Sequence, residues 1–152
     1  MESSLAIKIA LANTGHDVNP NEVYNYIESN SKEIEAYQLD STKVTAAAID
    51  YILLLSAVGS AASIASLLWM AYDKFIAPKK KHNATAGLYI VIHLSDKERI
   101  EFWIGNTHIA KDEFIKEFTS KVTTFRNTKE ARKEFEATKQ QVSRSGNWIK
   151  RK

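Results

Sequence analysis

Cysteine is absent from this chain of 152 residues, and it holds only two prolines and five glycines. Without cysteine there is no disulfide framework, no zinc site built on thiolates and no thiol nucleophile. The five glycines are scattered, so no glycine-rich phosphate loop is present, and no Gly-x-Ser-x-Gly elbow occurs. The four histidines, His16, His82, His93 and His108, have neither the spacing of a metal-binding helix pair nor a neighbouring acidic cluster. His93 reads as a strand residue and His108 as an exposed loop residue. Carboxylate pairs such as Glu33 and Glu35 sit where nothing suggests a desolvated pocket. The expectation is a protein with no catalytic centre, no metal and no cofactor. A secretory leader is also missing from the pattern, because Glu2 and Lys8 interrupt the first short apolar run. The default expectation is therefore the cytoplasm, with inner-membrane association left open by the segment discussed below.

What is present is an ordinary globular balance, 44% hydrophobic and 26% charged, in a length suited to one domain. The net charge of +3 conceals an asymmetry. Residues 1–72 hold three lysines against eight carboxylates, a net of −5, which leaves +8 for the remainder.

Period-two alternation at Leu5, Ile7, Ile9 and Leu11 predicts a half-buried strand. Asn19-Pro20-Asn21-Glu22 predicts a helix start, with Asn19 as N-cap and Pro20 in the first turn. That helix offers Val23, Tyr24 and Ile27 to a core. Residues 34–39 predict a second strand, giving a β-α-β beginning over residues 1–42. Gly87–Leu94 and Arg99–Gly105 predict a β-hairpin with Leu88, Ile90, Ile92 and Leu94 on one face, opposite Ile100, Phe102 and Ile104. Two helices are expected after it, over Asp112–Val122 and Asn127–Ser143, with Asn127 and Glu130 at capping-box spacing. Residues 87–143 thus complete the domain, and 144–152 read as a basic, mobile tail. The fold class expected is α+β: β-α-β, one long apolar helix, a hairpin and two terminal helices around a small sheet.

The segment 43–77 is read as that long helix. Within it, Tyr51–Tyr72 runs for 22 residues without a charge. As a helix it would extend about 33 Å, enough for a bilayer core. Tyr51, Trp69 and Tyr72 stand near its ends, and Lys79, Lys80 and Lys81 follow, the arrangement of a membrane or anionic-surface contact. Its centre is small and only mildly apolar. Ser56, Gly59, Ser60, Ala62, Ser63 and Ser66 make small-residue pairs four apart, the spacing of close helix–helix contact in lipid or in a bundle. Three readings compete: a buried or self-associating helix, a single membrane span of a holin-like or pore-forming effector, and a nucleic-acid module based on the C-terminal half. From Lys116 onward there are eleven Lys or Arg against four Glu, but Glu130, Glu134 and Glu136 interleave with the cations, as on a solvated helix. Nucleic acid is the least favoured partner. The last helix has a thin stripe, in which Phe135 and Val142, with Trp148 beyond, are read as waiting for a partner helix.

The order LAIKIAL, NPNEVYNYIES, IEAYQLD, then LLSAVGSAASIASLLW with a basic end, then GLYIVIHL, IEFWIGN and KDEFIKEF resembles the effector-associated constant component domains of bacterial conflict systems. Ala57–Ala62 and Trp69 match the small-residue centre and tryptophan of that pattern, over roughly residues 4–122. The chain departs from it in carrying Asp73-Lys74 and Pro78-Lys79-Lys80-Lys81 where the family has an arginine-rich run. The resemblance implies a non-enzymatic adaptor of anti-phage defence. Its partner would be an effector protein encoded elsewhere, and homo-oligomerisation is expected.

Overall fold

Alternating apolar residues build the centre of the sheet. The computed structural model describes residues 6–12, 18–31, 35–39, 51–55, 60–80, 86–93, 99–105, 110–126, 128–145 and 148–150. Strands β1 (Ile7–Ala12), β2 (Glu35–Leu39), β3 (Tyr51–Leu55), β4 (Gly87–His93), β5 (Arg99–Ile104) and β6 (Trp148–Lys150) form one sheet in the order β5-β4-β1-β3-β2-β6. Every neighbouring pair is antiparallel. Helices α1 (Pro20–Ser29), α2 (Ala61–Phe75), α3 (Lys111–Arg126) and α4 (Lys129–Ser145) complete the described elements. The fold is α+β.

Register explains the main core. Ile9 stands beside Ile90, which stands beside Phe102; Ile7, Ile92 and Ile100 form the next row, and Leu11, Leu88 and Ile104 the third. These residues share one face because side chains alternate along a strand. Ile7, Ile9, Leu88, Ile90 and Ile104 have no exposed surface at all. Helices α1, α2 and α3 cover this face with Val23, Tyr24 and Ile27, with Ala65, Leu68 and Ala71, and with Phe114, Phe118 and Val122. Each fully buried aliphatic side chain here contributes about 1.5–3 kcal/mol. The apolar face expected of the hairpin is observed for Leu88, Ile90 and Ile92 with Ile100, Phe102 and Ile104, while Leu94 lies outside the described residues.

Helix α1 begins as its sequence dictates. The Asn19 side chain accepts the Asn21 backbone N–H at 3.0 Å, and Pro20 fills the first turn. Helix α4 is capped by Thr128. The hydroxyl of Thr128 accepts the Ala131 N–H at 3.2 Å, and it donates to Phe125 O at 2.6 Å. Thr128 therefore joins the end of α3 to the start of α4. Asn127 itself lies outside the described residues.

The stretch 43–77 is not one helix. Residues 51–55 form β3, inserted between β1 and β2, and the helix starts only after Ser60. The run YILLL is continuously apolar, a composition that suits a strand in the interior of a sheet. Such a run of five is shared by buried strands and buried helices, so its spacing alone cannot separate them. Ser60 then acts as an N-cap, accepting the Ser63 N–H at 3.1 Å. The opening β-α-β is likewise an order along the chain rather than a paired unit, since β3 separates β1 from β2. Residues 148–150 are no loose tail: they pair with β2 as a sixth, three-residue strand.

Candidate functional site

Helix α2 divides its residues between inside and outside. Ala61, Ala65, Leu68, Ala71 and Tyr72 face the core. Trp69 is half-buried, with its ring 5.5 Å from Tyr72 and 5.9 Å from Phe114. Tyr72 is 9% exposed, and burial, aided by the adjacent Asp73 charge, pushes its hydroxyl pKa up. These two aromatics are internal packing groups, which corrects their reading as residues of a membrane interface. Tyr51 belongs to β3, paired with Ala10.

The basic segment is only partly a free surface. Lys79 is exposed in a single turn of 3-10 helix at Ala77–Lys79. Lys80 instead donates its ammonium to the carbonyl of Gly105, at the end of β5. Gly105 needs its hydrogen: its φ is +96°, and a Cβ there would meet the Tyr72 ring at 2.6 Å and the Ala86 carbonyl at 2.8 Å. One junction thus ties together the end of α2, the basic turn and the hairpin. Lys81 lies outside the described residues. Among the described residues no helix is long and apolar enough to cross a membrane, and within Tyr51–Tyr72 residues 51–55 are strand and the helix begins at Ala61.

The outer face of α2 is where the small residues gather. The Ser60 hydroxyl donates to the Ser63 hydroxyl at 2.9 Å and accepts the Ser63 backbone N–H, and so serves the helix start. Ala62 and Ser63 are exposed and Ser66 half-buried. With Asn30, Leu67 and Met70 these three line a shallow hollow of about 420 Å³. Met70 is 48% exposed, the large hydrophobic side chain most open to solvent among the described residues. Ser56 and Gly59, the other two members of the expected contact set, lie outside the described residues.

Helix α4 covers the second face of the sheet. Val142, 5% exposed, packs with Phe135, Ala6 and Tyr37, and Ala131 and Thr138 are buried as well. Its thin apolar stripe is therefore satisfied within the molecule. This corrects the expectation that Phe135 and Val142 await a partner helix, since both pack within the molecule. Trp148 is placed by β6, paired with Leu39. Lys8 lies on this same face. Its pKa is lowered, first by burial, with the charge of Glu134 on α4 opposing the shift. The cations Lys129, Arg132, Lys133 and Arg144 are exposed, interleaved with exposed Glu130 and Glu136, a solvated face.

A second hollow follows the outer edge of β5, of about 580 Å³, between that strand and α3. Ile100, Ser120, Thr124 and Phe125 line it, with Arg99 and Glu101 on the strand and Lys121 on the helix. The sequence reading passed over this groove, because it arises from the strand order. The signal available was the alternation of Arg99 and Glu101 on a strand whose other face is apolar.

Among the described residues no group of three or more His, Asp or Glu is placed to hold a metal ion. His16, His82 and His108 lie outside the described residues, and His93 ends β4, paired with Arg99. No protein-family model matches the chain, and no curated protein and no solved structure is found to be similar to it.

Proposed function

We propose that this protein is a non-enzymatic adaptor that works by protein–protein contact, coupling an effector encoded elsewhere to a bacterial defence system. The resemblance of its elements to effector-associated constant component domains supplies the setting. The observation that carries the reading is the outer face of α2, where Met70 stands 48% exposed beside the short side chains of Ala62, Ser63 and Ser66. Short side chains let another helix backbone approach, and an exposed methionine adapts its shape to an apolar ridge. The inner face of the same helix is fixed in the core, so the outer face is held rigidly for docking. The occupant this suits is a partner helix with a ridge of apolar side chains.

The test uses proteins encoded beside this one as candidate partners, with affinity measured by calorimetry. Met70→Glu and Ser66→Arg should each weaken a complex by about tenfold or more, the loss of roughly 1.4 kcal/mol, while the melting temperature stays within the range of a surface change. A complex indifferent to both substitutions, or substrate turnover by the isolated protein, contradicts the proposal.

A further inference from the structure

The last elements of the chain cross the sheet from one edge to the other. Thr128, just before α4, borders the same hollow as Arg99, Ile100 and Glu101 of the edge strand β5. Further along α4, Glu134 lies close enough to Lys8 of β1 for its charge to act on the ammonium. Near the far end Val142 packs with Ala6 and Tyr37, and β6 pairs with β2 at the opposite edge. We propose that α4 and β6 form a strap, which leaves the second face of the sheet as one unit while the rest of the fold stays intact.

The sheet itself makes the strap separable. Among the described residues, none from α4 or β6 belongs to the main core, which α1, α2 and α3 build on the first face with β1, β4 and β5. Val142 heads a separate, small cluster on the second face. Lifting the strap therefore removes no packing partner from Ile9, Ile90 or Phe118 and opens no cavity beneath the other helices. Units divided in this way open locally, at a lower free energy than the whole domain.

The grip of the strap is slight. Its buried side chains, among the described residues, are Ala131, Thr138 and Val142, and Phe135 is half-buried. An alanine and a threonine remove little apolar area from water. Lys8 works against closure. Its cross-strand neighbour Val91 is 4% exposed, so the closed strap holds an ammonium in apolar surroundings. Burial lowers its pKa and the attraction of Glu134 only opposes the shift, the mark of a charge that closure desolvates. The latch is short as well: Trp148, Ile149 and Lys150 face Leu39, Gln38 and Tyr37. A strand of three residues is marginal alone and stays in place only while α4 does. Opening uncovers Lys8 and Tyr37 and frees the edge of β2; closure hides all three. The strap lies across the sheet from α2 and does not rest on the docking reading of that helix.

The experiment is native-state hydrogen exchange of the full chain, residue by residue, over a series of low denaturant concentrations. Amides in the middle of α4 and in β6 should merge onto one opening curve and exchange about a hundredfold or more faster than amides of β1 and β4. Ile149→Pro, which strikes the latch through the backbone, should speed exchange across α4 by about tenfold or more. Protection of β1 and β4 should be unchanged in this variant, which also shows that it folds. Exchange of α4 only together with β1 and β4 would mean that the strap never opens alone and overturns the proposal. Separate curves for α4 and β6, or an α4 indifferent to Ile149→Pro, would mean that the two are not one unit and overturn it equally.

Discussion

Helices α2 and α4 lie on opposite faces of one sheet and differ in what they have left over. Helix α2 is rich in apolar residues: it buries Leu68, Ala65 and Ala71 and still leaves Leu67 and Met70 at the outside. Helix α4 is mostly charged, and its few apolar residues are consumed by Ala6 and Tyr37 of the sheet. A thin stripe is not an available stripe. Surplus beyond what the sheet can cover is what makes a surface available, and only α2 has it. Stability follows the same division, since α2 shares its face with α1, α3 and the aromatic group of Phe102, Phe114 and Phe118.

The largest effect is expected beneath α2. Leu68, 1% exposed, loses its side chain in Leu68→Ala, at a cost of about 2–5 kcal/mol in chemical denaturation. The matching change on α4, Phe135→Ala, removes a half-buried ring and should cost less, about 1–2 kcal/mol, below the range for a fully buried phenylalanine. Equal costs would erase the distinction between the faces.

Next in size is the junction that anchors α2 to the hairpin. Gly105→Ala adds a Cβ at positive φ against the Tyr72 ring and the Ala86 carbonyl, and about 1–3 kcal/mol should be lost. Thermal melting would show it. An unchanged melting point would mean the turn relaxes without strain.

The smallest effect sharpens the contrast from the α4 side. Lys8 has a lowered pKa in the folded chain, with burial as the main cause and Glu134 opposing it. In the unfolded chain it binds its proton more tightly, so this group adds to stability as pH rises from its depressed value toward 10.5. Below that window the buried charge is a cost. Lys8→Met should therefore leave stability at neutral pH unchanged or raise it by about 1 kcal/mol, and it should flatten the alkaline rise. A clear loss at neutral pH would show the Lys8–Glu134 attraction outweighs desolvation.

Much of this was legible from residues close in sequence. The apolar face of the hairpin follows from two alternating runs, and the α1 cap from Asn19 and Pro20. The division of Tyr51–Tyr72 was not legible, because YILLL becomes a strand only through neighbours contributed by β1 and β2, far away in the chain. The same holds for residues 148–150, which β2 recruits. Of the expected contact set, Ala62, Ser63 and Ser66 do share an outer face, as their spacing on a helix requires. The expected interface aromatics Trp69 and Tyr72 went inward, since an aromatic near the end of an apolar run suits a protein core as well as a headgroup layer. The β5–α3 groove is a product of topology and has no local signature.

The central claim is that the apolar run is divided, and that the helix following the break is buried on one side and open on the other. A chain without cysteine permits a direct measurement. Single cysteines are placed at Ala62, Ser66 and Met70, and at Ala65, Leu68 and Ala71, and the rate of labelling by a bulky charged maleimide is followed in the folded protein. The first three should react quickly and the second three slowly, a helical period of alternating protection. Uniform slow labelling across all six, as in a helix surrounded by lipid or by protein, would contradict the account.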